Sequence, residues 1–383
     1  MSAAAARRRK QIAARQNEQD VVGTQLKNLL ASEDSMPEEK AYEALQVAQS
    51  SIRRKVKEGH FNDACDLAYS TSLALLKKGR VSVASQLLTL LTGVLRETHT
   101  VETEDWINRL VELHAVHTKT MEEVPAGVEA TRLKRLQRVW LASALQWSSE
   151  LGKIRYGSNK LQEILGEHCW MMSSIVEPSD DDDEEDEIAD LQCDAVQYMA
   201  LAEKPKVIVG WLKSLPAPTA EETAADHTCP PALRDSLLTR VTLLLCAVEN
   251  LRDANTMLRS FIEEVEDRKI QELVDLYTKK GSGKAPSHII FCTMLVRICE
   301  KDARTGPLFQ WAARSFKREL DKLHKPQEIV SYTTKIGKIY FGIQPPPSML
   351  NMMENMMGGM GGGGGGGMNP AMMQAALAQL QGM

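Results

Sequence analysis

Apolar residues recur at intervals of three and four along most of this chain. Ala41, Ala44, Leu45, Ala48 and Ile52 share one helical stripe, and Leu87, Leu88, Leu91 and Leu95 share another. The same periodicity predicts a short helix over 20–31. Further helices are predicted from Trp106 to Val116, Leu133 to Trp147, Leu161 to Met171, Leu233 to Val248, Ala254 to Val265, His288 to Cys299, Pro307 to Leu323 and Glu328 to Phe341. No stretch alternates as a strand does. A phrase occurs twice: Gly59-His-Phe61-Asn-Asp-Ala64-Cys-Asp-Leu67 and Gly79-Arg-Val81-Ser-Val-Ala84-Ser-Gln-Leu87. A glycine inside a helix costs about 1 kcal/mol relative to alanine, so each is placed at a hinge, with the small Ala letting the next helix approach. A shorter echo, Leu251-x-x-Ala254-x-x-Met257, extends the device downstream. Stacked hairpins of this kind build a solenoid, whose usual work is holding other proteins.

The breaks in the pattern divide the chain. Residues 1–19 read as a polar, basic-flecked, disordered tail and 20–215 as an N-terminal helical half. Within that half the acidic run from Asp180 to Glu187 is expected to stay exposed in a loop spanning 178–187, because its charges repel one another. Residues 216–231, with Pro216-Ala-Pro218 and Cys229-Pro-Pro231, read as a linker or long loop. The C-terminal half follows at 232–343, then a Pro/Met/Gly-rich tail at 344–383, where Pro345-Pro346-Pro347 stops regular structure.

Length and charge narrow the class. At 383 residues the chain exceeds one compact core, and a net charge of −5 gives no sign of a nucleic-acid binder. No apolar stretch is long enough to span a bilayer, and the basic start Arg7-Arg8-Arg9-Lys10 is not followed by a signal core, so a cytosolic protein is expected. Among seven cysteines there is no C-x-x-C pair, and Cys65, Cys246, Cys292 and Cys299 sit at apolar helical positions, as buried thiols do. His114 and His117 lack a nearby Cys or paired carboxylate to complete a metal site and read as solvated or packing residues. Gly281-Ser-Gly-Lys284 has Thr278 and Ala285 where a phosphate-binding loop needs Gly and Ser or Thr, and reads as a flexible connector. No cofactor, metal or catalytic residue is expected, and an enzyme is disfavoured.

Three stretches are more specific. Ala144-Leu-Gln-Trp147-Ser-Ser with Tyr156-Gly157 and Leu161-x-x-x-Leu165 resembles a mid-chain phrase of the Golgi-to-ER-traffic protein 4 family. Ile336-Gly-Lys-Ile-Tyr-Phe-Gly-Ile343-Gln-Pro-Pro, followed by Met352-Met353 and a glycine run, is similar to its C-terminal signature. Ala41-Tyr-Glu-Ala-Leu-Gln46 with Asp63-Ala64-Cys-Asp-Leu67 resembles its first two helices. The resemblance covers roughly 38–357 and implies a right-handed, all-helical, TPR-like solenoid that acts as a cytosolic adaptor. Its N-terminal half is implied to dock on a homodimeric ATPase carrying tail-anchored membrane-protein clients. Its C-terminal half is implied to grip a ubiquitin-like protein, or a larger ubiquitin-like scaffold, and through it an upstream co-chaperone.

Carried over by position, the resemblance implies an ATPase-docking face at Arg54 and Lys57, with Lys27 from the first helix and Arg53 and Lys55 widening it. The triplet Arg53-Arg54-Lys55 equally complements a helix C-terminus. Leu45 stands where many members carry His, and Ser85 where many carry an acidic residue. The ubiquitin-like partner is implied to meet Ile339, Tyr340, Phe341 and Ile343, an apolar cluster with little further chain to cover it. The alternative is that Tyr340 and Phe341 only seal the final hairpin. In the tail, Met352, Met353, Met356, Met372 and Met373 are candidate client contacts, since methionine suits surfaces that accept many apolar sequences, and a low-complexity end is the plain alternative. Ser179, ahead of four aspartates, is a candidate phosphosite. A helical-repeat scaffold of another large assembly, such as a proteasome-lid-like complex, is the competing reading.

Overall fold

The computed structural model describes residues 24–31, 36–176, 182–219, 232–267, 269, 271–272 and 287–344. Every regular element among them is helical. The first half comprises α1 (24–31), α2 (Glu38–Lys57), α3 (Phe61–Lys77), α4 (Val81–Glu97), α5 (Glu104–Glu122), α6 (Val128–Leu151), α7 (Asn159–Ser173), α8 (Asp182–Leu201) and α9 (Pro205–Ser214). Then come α10 (Leu233–Ala247), α11 (Leu251–Glu264), α12 (Ser287–Cys299), α13 (Gly306–Ser315) and α14 (Pro326–Phe341).

One turn builds most of the stack. Gly59 and Gly79 have φ of +80° and +72°, and the residue after each sends its N–H back to a carbonyl five positions earlier: His60 to Lys55 and Arg80 to Leu75, both at 2.9 Å. This closes the helix with a left-handed cap and reverses the chain. The same turn recurs at His99, Glu203 and Glu249, with φ of 50°, 60° and 65° and bonds from Thr100 to Leu95, Lys204 to Met199 and Asn250 to Leu245. Those three copies escape a search for glycine because the backbone adopts the conformation without it. Ala64, Ala84 and Ala254, five residues past their turns, are fully buried where the next helix crosses.

Helices α2, α4 and α6 form one layer and α3, α5 and α7 the other; α7 then lies along α8, which leads to α10. The two larger apolar cores change over within α8. Ala195 belongs to the first, whereas Cys193, Val196 and Met199 belong to the second, together with Ile208 and Leu212 of α9. The changeover between the cores therefore lies within α8, and the expected linker at 216–231 lies outside the described residues from 220 on. Trp170 of α7 and Trp211 of α9 stack across this junction, their rings 4.7 Å apart and 3° from parallel. The acidic run, expected as a loop, is helical from Asp182 onward. Farther along, Glu187 pairs with Arg135 at 2.7 Å. Neither α8 nor α9 was legible in advance, because that acidic start and the Val207-Ile208-Val209-Gly210 run both mask a helical period. The predicted helix from Pro307 to Leu323 is broken into α13 and a single turn, Lys317–Leu320.

Helix α10 is buried almost all round, and Arg240, 2% exposed, carries a cation through it. The guanidinium donates to Glu328 at 2.5 Å and to the His324 carbonyl, which ties the start of α14 to the centre of the second core. Asp190 of α8 holds the same corner from the other side, 2.6 Å from His324 and 2.5 Å from Lys325.

Candidate functional site

Two surfaces at opposite ends of the stack carry the predicted residues. At the first end, Arg53 and Lys57 are exposed and one helical turn apart on α2, so both point the same way. Arg54 is half-buried, with its Nε atom enclosed, and sits at the margin of that face. Lys55 is drawn off by Asp63 of α3 at 3.6 Å and adds little free charge. Lys27 is exposed on α1, but α1 is anchored by Gln25 to Glu43 at 3.2 Å, a level roughly 15 Å along α2 from Arg53. The structure thus gathers Arg53, Lys57 and the edge of Arg54, and leaves Lys27 apart.

Leu45 and Ser85 are not on this face. Both are buried, and the Ser85 hydroxyl donates to the Val81 carbonyl at 2.9 Å while lying 3.1 Å from His117 Nε2. Burial, then His168 and His114, push His117 down to about 3. Burial alone takes His114 to about 4, and Gln137 donates to its Nδ1 at 3.1 Å. These histidines are packing residues of the first core.

Beside the basic face runs a broad groove between α3 and α5 that the sequence did not announce, lined by Asp63, Asp66, Tyr69, Asp105, Arg109 and Glu112. Arg109 bonds Asp66 at 2.6 Å and Asp105 at 2.9 Å, and its guanidinium lies over the rings of Trp106 and Tyr69 at 4.7 and 5.3 Å. Tyr69 donates to Glu112 at 2.5 Å; burial and that hydrogen bond push its phenol up to about 12. Arg109 and Tyr69 thus tie α3 to α5 along the groove.

At the other end, the four predicted apolar residues do not share a face. Tyr340 donates to the Cys246 carbonyl at 3.2 Å, Phe341 stacks on Phe309 at 5.0 Å, and Ile343 lies over Gly337. Those three are half-buried and seal α10, α13 and α14. Ile339 alone is exposed, at 37%. The larger uncovered apolar surface is on α13, where Leu308 and Trp311 are 46% and 51% exposed. The signal for them was present: Phe309, Ala312 and Phe316 fill the buried stripe, so Leu308 and Trp311 are apolar residues out of phase with it. Met352, Met353, Met356, Met372, Met373, Ser179 and the Gly281–Lys284 connector lie outside the described residues.

The order of these elements is matched by known proteins. The family model for Golgi to ER traffic protein 4 matches residues 58–360. The chain belongs to that family. Protein GET4 of Arabidopsis thaliana is 22% identical over 320 residues, covering 79% of this chain and 86% of its own. The crystal structure of C. therm. Get4 superposes with a TM-score of 0.50 at 20% identity, over 91% of this chain and 98% of that one, a likeness of fold. For the Golgi to ER traffic protein 4 family, the matched segment begins at Glu58, so α1 and all of α2, with the basic face, precede it. Both the glycine-turn repeats and the α13–α14 end lie inside it. No helix among the described residues is long and apolar enough to cross a membrane.

Proposed function

We propose that this chain is a non-enzymatic, cytosolic adaptor in the targeting of tail-anchored membrane proteins to the endoplasmic reticulum. It bridges a homodimeric client-carrying ATPase and a ubiquitin-like protein that recruits the co-chaperone. The observation that carries the reading is one continuous helical stack with a charged surface at one end, Arg53 and Lys57, and an apolar surface at the other, Leu308 and Trp311. Exposed charge suits a partner that is captured quickly and released, because it raises the association rate more than it deepens the complex. A buried aromatic anchor suits a partner that stays. Holding both raises the effective concentration of one partner at the other without any bond chemistry. Arg54 extends the charged contact, and Ile339 extends the apolar one. The methionines at 352, 353, 356, 372 and 373 are assigned to passing contact with a client's transmembrane segment. Equilibrium binding of the full chain to a purified tail-anchored-protein ATPase and to a ubiquitin-like partner, separately and together, tests the reading. A ternary complex is expected. Binding to neither, with recovery of lid-type subunits from extract instead, sinks it in favour of another scaffold.

A further inference from the structure

The stack bends so that α14 meets the loop after α6. Lys335 of α14 places its Nζ 3.3 Å from the Tyr156 hydroxyl and 5.7 Å from the centre of that ring, and the Arg155 guanidinium lies 5.5 Å from the same centre. No carboxylate among the described residues pairs with Arg155 or Lys335. Ile154, 46% exposed, adjoins Arg155, and Ile339, 37% exposed, stands one turn beyond Lys335. The result is an uncovered surface of two isoleucines and a tyrosine ring with two cations converging on it. Such a surface fits a short apolar segment carrying one carboxylate.

The chain itself supplies one. Gly342, at φ +63°, caps α14, and the Ile343 N–H returns to the Gly337 carbonyl at 3.0 Å, which turns the chain back on itself as it leaves at Gln344. Pro345-Pro346-Pro347 then spans about 9 Å when extended, close to one helix diameter. Beyond it Met349, Met352, Met353, Met356 and Met357 recur at three and four residues, so one helical face would be all thioether. Glu354, on the flank of that face, is the sole charged side chain in 345–383. We propose that residues 348–357 dock in cis on the Ile154–Tyr156–Ile339 surface, with the methionines on the isoleucines and the tyrosine ring and Glu354 between Arg155 and Lys335. Sulfur–aromatic contact and a carboxylate between two cations are both favourable pairings.

The test uses the full chain with no partner, so its outcome is separate from that of the adaptor reading. A photocrosslinking residue replaces Ile154, and products are mapped by peptide sequencing in the mass spectrometer. The expected result is a crosslink to 348–357 whose yield holds across a 100-fold dilution. Glu354→Lys should lower that yield at least tenfold, and adding Arg155→Glu with Lys335→Glu should restore it. Crosslinks to 369–383, a yield that falls on dilution as it must for a second copy, or no tail product each overturn the proposal.

Discussion

Lys335 and Tyr156 are 179 positions apart in sequence, yet the ammonium of one lies 3.3 Å from the hydroxyl of the other. Each belongs to, or borders, one of the stretches by which the chain resembles its family, so the two phrases meet in space. Together with Tyr332 and Gln197, 3.2 Å apart, the pair fixes α14 against the first half of the stack. Lys335→Met, which keeps the stem and removes the charge, is expected to leave secondary structure unchanged and to speed hydrogen exchange in α14. Unchanged exchange there would show that the contact does not hold the bend.

Charge reversal separates the two proposed docking ends. Arg53→Glu with Lys57→Glu should weaken ATPase capture tenfold or more at low salt, and the deficit should shrink as salt rises, because exposed charges are screened over about 10 Å at 0.1 M. Binding of the ubiquitin-like partner should not change. Titrations at two ionic strengths check both statements, and an unaltered salt slope would move the docking site elsewhere.

At the far end, Leu308→Asp with Trp311→Asp should abolish capture of the ubiquitin-like partner, whereas Ile339→Asp should only reduce it. Phe341→Asp should instead unfold the end, since its ring packs on Phe309 and against Gly306. Circular dichroism alongside binding distinguishes loss of a contact from loss of the fold. Full binding by the α13 double variant would exclude this face.

Two buried imidazoles, His117 and His168, and the half-buried His114 predict how stability depends on pH. His117 stays neutral down to about 3, and His114 and His168 down to about 4, all chiefly through burial, whereas unfolded they protonate near 6.5. Protons therefore favour the unfolded chain below that value. The stability is fully present above pH 6.5 and is lost as pH falls toward 4, by roughly 2–3 kcal/mol for each histidine. Denaturation midpoints at pH 7, 6, 5 and 4 should show the fall, and a flat series would contradict it.

The recurrent turn makes an opposite pair of predictions. A Cβ at Gly79 would meet nothing within 4 Å, so Gly79→Ala should cost about 1 kcal/mol through the backbone alone. Glu249→Gly places the permissive residue at φ 65° and should gain about 0.5–1 kcal/mol. Thermal unfolding of both variants reads the sign directly.

The glycine phrases at 59 and 79, the stripes of α2 and α4 and the apolar placement of Cys65, Cys246, Cys292 and Cys299 were decided by the sequence alone. Each is a local matter: a period of 3.6 residues, a backbone angle, a solubility. Three further copies of the turn were invisible because His99, Glu203 and Glu249 take the left-handed conformation under the demands of packing rather than by preference. Basic character near the end of α2 was readable, but which cations are free was not. Asp63 claims Lys55 from the next helix, and the anchoring of Gln25 at Glu43 leaves Lys27 far along. Which residues of the apolar end stay exposed was unreadable for the same reason. Tyr340, Phe341 and Ile343 find partners on α10 and α13 that lie far away in sequence, while Leu308 and Trp311 find none. Periodicity states which residues can face a neighbour. Only the path of the chain through space decides which neighbour arrives, and hence which surface is left for another protein.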